Sequence, residues 1–252
     1  MSRPLDKAGW QAMADTLTAR LETRAYIDDR FVDAAGGETF ETINPAKGEV
    51  LARVASCDQA DAELAVAHAR RAFDGGEWSR LAPTRRKRVL LRLAELMEAH
   101  RDELALLDTL DMGKPITSAL GDMAGAIGAM RHQAESIDKL YGEVAPTGEE
   151  ALALVLREPI GVVASIVPWN FPMMMTAWKI APALAAGNSV ILKPSEKSPL
   201  SALRLAALAQ EAGLPRGVLQ VLPGFGHTVG KALALSMDVD CLAFTGSTAV
   251  GK

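Results

Sequence analysis

Cysteine is almost missing from this sequence: there are two in 252 residues, Cys57 and Cys241, far apart and without a CxxC pair. That argues for a reducing compartment and against a disulfide framework or a zinc site. Histidine is scarce too, and the four present (His68, His100, His132, His227) show neither HxxxH nor HExxH spacing, so no metal site is expected. No apolar run reaches membrane-spanning length, and the N-terminus lacks the basic start and apolar stretch of a signal peptide. The expectation is a soluble, cytoplasmic protein without a membrane partner. Strong charge of either sign is also lacking. A formal net charge of -4 gives no electrostatic ground for a nucleic-acid partner, and the basic run Arg85–Arg88 reads as a solvated helix face. Only two tyrosines occur, Tyr26 and Tyr141, followed four positions later by Arg30 and Ala145. The Tyr-x-x-x-Lys pair of a short-chain reductase is therefore excluded.

What is present is an ordinary globular composition, 49% hydrophobic and 23% charged, in a chain long enough to bury a sizeable core. Residues 1 to about 25 read as a helical arm, followed by short strands at 26–28 and 30–32 and a turn at 44–49 between two more. Asp58 is placed to cap a helix running to about Phe73 and stopped by Gly75-Gly76. Two long helical stretches follow, at 83–111 and 115–141. Gly142, Pro146 and Gly148 then punctuate the chain, and Ala151–Leu156 is apolar without helical gaps, which predicts a β-hairpin over 142–158 whose bare strand needs a partner surface. From 159 onward, apolar strands at 160–167, 190–192, 218–222 and 241–245 alternate with helices at 174–186, 199–212 and 228–236. That alternation predicts a Rossmann-like, doubly wound parallel α/β sheet, preceded by the helical segments and strands of 1–141.

Ligands of such sheets bind beyond the carboxyl ends of the strands, so the chemistry is expected at 168–172, 193–196, 223–230 and 245–251. The last, Gly246-Ser247-Thr248-Ala249-Val250-Gly251-Lys252, fits G-x4-G-K, the start of a P-loop. A dinucleotide reading uses the same small residues to bring backbone N–H groups to a pyrophosphate. Gly224-Phe225-Gly226-His227-Thr228-Val229-Gly230 spells GxGxxxG, which does not meet the usual dinucleotide fingerprint. Lys193-Pro194-Ser195-Glu196 follows a strand, where a lysine and a glutamate can reach ribose hydroxyls; a solvated surface pair is the alternative. Glu196 there would repel a 2′-phosphate, favouring NAD over NADP.

Taken together, "VPWNFPMMMTAWKIAPALAAGNSVILKPSEKSPLSAL", "GLPRGVLQVLPG" and "LAFTGSTAVG" resemble the aldehyde dehydrogenase superfamily. "LDMGKP" and "INPAKGEV" extend the resemblance over essentially the whole chain, closest to the branch acting on aminoaldehydes and γ-glutamyl-aminobutyraldehyde. The resemblance implies NAD-dependent oxidation of a small aldehyde. Asn170 would be the oxyanion-hole amide, held in its turn by Pro168 and Pro172, and Lys179 would support a proton relay. Ile166 and Trp169 would line the nicotinamide side of the cleft. Lys193, Ser195 and Glu196 would serve the adenine ribose, Gly226 and Gly230 the adenine pocket, and Gly246, Ser247, Thr248, Val250 and Gly251 the pyrophosphate. Phe171, Met174 and Trp178 would line the substrate channel, with Asp122 attracting a substrate amine. The hairpin would join homodimers or homotetramers.

The family's glutamate base and nucleophilic cysteine follow the stretch that matches Gly246–Gly251, and neither Cys57 nor Cys241 is a substitute. The expectation is the N-terminal, cofactor-binding half of such an enzyme, inactive by itself. A non-catalytic nucleotide-binding or assembly module and a P-loop nucleotide-binding protein are the other readings.

Overall fold

The computed structural model describes residues 5–251. In chain order it contains α1 (Lys7–Thr18), β1 (Ala25–Ile27), β2 (Arg30–Val32), β3 (Thr39–Asn44), β4 (Glu49–Ala55), α2 (Gln59–Gly75), α3 (Pro83–Ala99), α4 (Arg101–Met112) and α5 (Ile116–Ser136). There follow β5 (Glu143–Ala145), β6 (Ala153–Val155), β7 (Val162–Ile166), α6 (Pro172–Ala186), β8 (Ser189–Lys193), α7 (Leu200–Glu211), β9 (Leu219–Val221), a π-helical turn (Gly226–Gly230), α8 (Lys231–Leu235), β10 (Cys241–Phe244) and α9 (Thr248–Gly251).

Six strands form the main sheet in the order β10-β7-β8-β9-β1-β2. β10, β7, β8 and β9 run parallel. β1 joins β9 antiparallel through Tyr26 opposite Val221, and β2 pairs antiparallel with β1. The predicted parallel α/β sheet is thus present, and two strands from far earlier in the chain extend its edge. Both faces are covered. Along β8, Val190 and Leu192 enter the larger apolar cluster with α4, α6 and α7, whereas Ile191 enters the smaller one with α2. Alternate side chains of a strand point to opposite faces, so a strand buried on both sides must be apolar throughout.

Local signals account for most boundaries. Asp58 caps α2, accepting from the N–H groups of Ala60 and Asp61 while the Asp61 carboxylate accepts from Asp58 N at 2.9 Å. Gly76 ends that helix at φ +81, a left-handed conformation that glycine adopts without Cβ strain. Other boundaries differ from expectation. The arm's helix stops at Thr18. The stretch 83–111 is two helices that break at His100 (φ -104, ψ 19). Both bury their apolar stripes in the same cluster, so the periodicity runs on across the break. What marks the break is Asp102 and Glu103 in the first turn of α4, where carboxylates suit a helix N-terminus. α5 ends at Ser136 rather than 141, and the helix expected over 228–236 opens as the π-helical turn.

The hairpin is present, with Glu143 opposite Val155 and Ala145 opposite Ala153. Val144, Leu152, Leu154, Val155 and Leu156 stand exposed on it. No described helix is long and apolar enough to cross a membrane.

Candidate functional site

The parallel order β10-β7-β8-β9 puts the four strand-end loops side by side, and backbone hydrogen bonds stitch them together. Thr245 N donates to Ile166 O at 3.1 Å, Val167 N to Lys193 O at 3.1 Å, and Leu222 N to Leu192 O at 2.9 Å. At the far end Cys57 N donates to Pro223 O at 2.9 Å. Gly224 there has φ +147, and a Cβ on it would come within 2.7 Å of Cys57 O, so that loop tolerates only glycine.

Asn170 lies in the turn after β7, one residue before Phe171 and two before Pro172, the first residue of α6. It is exposed, and no hydrogen bond among the described residues engages its side-chain amide. Its backbone carbonyl accepts from Lys114 Nζ at 2.8 Å. The same ammonium lies 3.8 Å from the centroid of the Phe171 ring and is paired with the Asp122 carboxylate. Asp122, the acid expected to attract a substrate amine, is thus paired with a cation of the same chain.

Phe171 immediately precedes α6, and Met174 and Trp178 stand on that helix beside α5. Met174 is half-buried, its methyl resting against Gly125, where a Cβ would collide with it. Phe171 and Trp178 are exposed. Trp178 borders a hollow of about 390 Å³ shared with Gly125, Gly128 and His132 of α5. Next to it, Lys179 is half-buried, and loss of solvation lowers its pKa.

On the neighbouring strand, Lys193 is buried and its ammonium has one acceptor among the described residues, Glu196 Oε2 at 3.5 Å. Burial lowers its pKa, opposed by the Glu196 charge. An ammonium carries three donors, and a buried one with a single long contact is under-satisfied; a hydroxyl-bearing ligand at this strand end would complete it. Ser195 is buried, and its hydroxyl accepts from Lys197 N at 3.3 Å, shaping the loop. Trp169, Glu196, Lys197 and Phe225 line a cavity of about 480 Å³ with Phe40 and Thr42 of β3. Ile166 ends β7 with its Cδ1 3.8 Å from where a Cβ on Gly230 would stand, while Gly226 has open space at that position. Gly246 lies under the Phe244 ring, which a Cβ would strike. Ser247 O accepts from Val250 N and Gly251 N at 3.1 Å each, closing the first turn of α9 at Thr248. Lys252 of the G-x4-G-K reading lies outside the described residues.

Two further acidic residues were given no role by the sequence, although one of them, Asp111, lies within LDMGKP. Asp108 and Asp111, three apart on α4, are both buried. Asp108 Oδ2 faces Met173 N at 3.5 Å, and Asp111 Oδ2 accepts from Leu200 N at 2.9 Å. They serve the first turns of α6 and α7, neither of which has a side-chain cap of its own. Burial pushes the Asp108 carboxyl up to about 7, with Lys114 opposing and Asp122 adding to the rise. A raised folded-state pKa means that the folded form holds the proton more tightly. Stability is then full below the ordinary carboxylate range and is lost as pH rises through about 7. Between pH 5 and pH 8 the chain is expected to lose about 2 kcal/mol more in urea unfolding than its Asp108→Asn variant. Equal losses would show that Asp108 keeps an ordinary pKa.

The two thiols stand apart from the row of loops in character. Cys57 is buried, and desolvation holds its pKa far above the usual range. Cys241 opens β10, at the other end of that strand from the loops.

Residues 31–252 match the aldehyde dehydrogenase family. Among curated relatives, the NADP/NAD-dependent aldehyde dehydrogenase PuuC of Escherichia coli K12 is 56% identical over 246 residues, covering 97% of this chain and 49% of its own length. Among solved structures, the Pseudomonas syringae indole-3-acetaldehyde dehydrogenase AldA, a mutant in complex with NAD+ and IAA, superposes with a TM-score of 0.96 at 60% identity. The γ-glutamyl-γ-aminobutyraldehyde dehydrogenase of Burkholderia cenocepacia J2315 does so with a TM-score of 0.96 at 58% identity. Each of these structures aligns over 98% of this chain and 50% of its own. The chain therefore spans about half the length of the relatives it matches.

Proposed function

The chain belongs to the aldehyde dehydrogenase family, and on that premise we propose that its complete gene product oxidises an aldehyde of the aminoaldehyde class to the carboxylic acid. NAD, when bound, supplies the two-electron acceptor for that oxidation. This chain contributes the dinucleotide cleft and one oxyanion donor. The observation that carries the reading is Asn170, an exposed amide without an intrachain partner, presented at the end of β7. It stands in a turn whose φ angles two prolines restrict. A pre-aimed donor of this kind stabilises negative charge developing on a carbonyl oxygen.

We assign Ile166 and Trp169 to the nicotinamide side, and Lys193 with Glu196 to the adenine ribose. Gly226 and Gly230 are assigned to the adenine, and Gly246, Ser247 and Val250 to the pyrophosphate. Phe171, Met174 and Trp178 form the aldehyde's approach along α5 and α6, and Lys179 beside it takes part in proton movement. The nucleophile is assigned to a residue other than Cys57 or Cys241, since the first is buried and strongly disfavoured as thiolate and the second lies at the opposite end of its strand. Two unpaired thiols suit a cytoplasmic enzyme. The exposed apolar hairpin suits a homodimer or homotetramer that covers it.

The test is turnover by the complete gene product of ω-aminoaldehydes and uncharged aldehydes with NAD, followed as NADH. Failure with every aldehyde would overturn the reading. Cofactor choice gives a second test. At an effective dielectric near 20, two like charges about 5 Å apart repel by about 3 kcal/mol, so Glu196 disfavours a ribose 2′-phosphate. NAD is expected to bind roughly tenfold or more tightly than NADP, and Glu196→Gln to narrow that ratio several-fold in a fluorescence titration. An unchanged ratio would remove Glu196 from the ribose.

A further inference from the structure

We propose that Lys114 is the positioning residue that locks the Asn170 turn, an inference that rests on the assignment of Asn170 as oxyanion donor. The two prolines restrict φ at 168 and 172 but leave ψ of Asn170 free. That torsion sets the direction in which the Asn170 carbonyl points and, with it, the side chain's orientation relative to the following peptide. Lys114 holds that carbonyl at 2.8 Å, from 56 residues away in the chain.

The lysine is itself fixed. It stands in the three-residue link between α4 and α5, after Gly113 at φ +80 and before Pro115. Gly113 cannot carry a Cβ there, because Pro45 Cγ would lie 2.7 Å from it. The side chain is only 11% exposed, so its conformation is confined by its surroundings. The contacts are complementary: the Asp122 carboxylate offsets the charge, the Phe171 ring takes one face as a cation–π partner, and the Asn170 carbonyl takes a directed hydrogen bond. Residues 170 and 171 are thus both held by one cation. Asp122 acts through Lys114 as its counter-charge.

A purely structural lysine would lower stability without a specific effect on turnover. The two roles separate in a double-mutant cycle on the complete gene product, assayed with an uncharged aldehyde so that no substrate charge meets Asp122. Lys114→Met is expected to lower kcat about tenfold or more, because a small misplacement of a catalytic group is costly, with KM and the Kd for NAD changed less than threefold. In the Asn170→Ala background the same substitution is expected to change kcat less than twofold. Lys114→Gln keeps a polar side chain of similar bulk while removing the charge and shortening its reach by one atom. It is expected to reproduce the kcat loss and carries the test if Lys114→Met does not fold. An equal loss in both backgrounds, or kcat within twofold of wild type while Asn170→Ala is impaired, would overturn the clamp and leave the site assignment standing. An Asn170→Ala enzyme with full activity would remove both.

Discussion

Asn170→Ala in the complete gene product is expected to lower kcat by about 10²–10³-fold, the usual cost of removing one oxyanion donor, while the melting temperature stays within about 2 °C of wild type. The two halves of that result come from different physics. The amide is exposed and without a partner among the described residues, so folding gains little from it; substitutions at such surface positions usually fall within about 0.5 kcal/mol. Catalysis depends on it because charge develops on the aldehyde oxygen only as the reaction proceeds. A donor already in place strengthens its contact in the transition state and leaves ground-state binding almost unchanged. KM is therefore expected to move less than threefold, and the Kd for NAD not at all. Steady-state kinetics with saturating NAD, paired with a thermal melt, read both halves. Activity within threefold of wild type would show that the amide donates to nothing in the reaction, and the Asn170 turn would lose its catalytic assignment.

The turn was legible in the sequence because its determinants are local: an apolar strand, two prolines two and six residues beyond its end, and one amide between them. The same holds for the Asp58 cap and for the strand ends that carry Lys193, Glu196 and Gly226. Contacts between distant segments were not legible. Nothing near Lys114 in the chain announces that its ammonium meets the carbonyl of Asn170, 56 residues on. Asp108 and Asp111 were given no role from local sequence. They reach the first turns of α6 and α7 only because α4 lies beneath both. The edge strands β1 and β2 were predicted as strands, but their place beside β9 is a matter of sheet order, which local propensity does not encode. The break at His100 was hidden because apolar periodicity continued through it into the same core.

Trp78 is a further case of a residue whose weight appears only in three dimensions, and its replacement is expected to have the largest effect on stability. It sits between α2 and α3, fully buried, with its indole Nε1 donating to Leu184 O at 3.1 Å near the C-terminal end of α6. Leu184 O also accepts from Gly187 N at 3.0 Å, so loss of the indole leaves that carbonyl still paired. Burial of the ring therefore outweighs the hydrogen bond. A tryptophan buries roughly 150–250 Å², worth about 4–6 kcal/mol at 25 cal/mol per Å², against about 1 kcal/mol for the hydrogen bond. Trp78→Ala is expected to cost the 252-residue chain about 3–5 kcal/mol in urea unfolding. Trp78→Phe, which keeps much of the ring volume, is expected to cost less than half as much. If the hydrogen bond mattered more than the burial, the two variants would lose equal amounts. In the complete gene product, below its melting temperature, Trp78→Phe is expected to keep kcat within threefold of wild type. The tryptophan anchors α6 near its C-terminal end, whereas the Asn170 turn is held at the opposite end by Lys114 and Pro172. A large kcat loss in Trp78→Phe would mean that the helix transmits strain along its whole length to the turn.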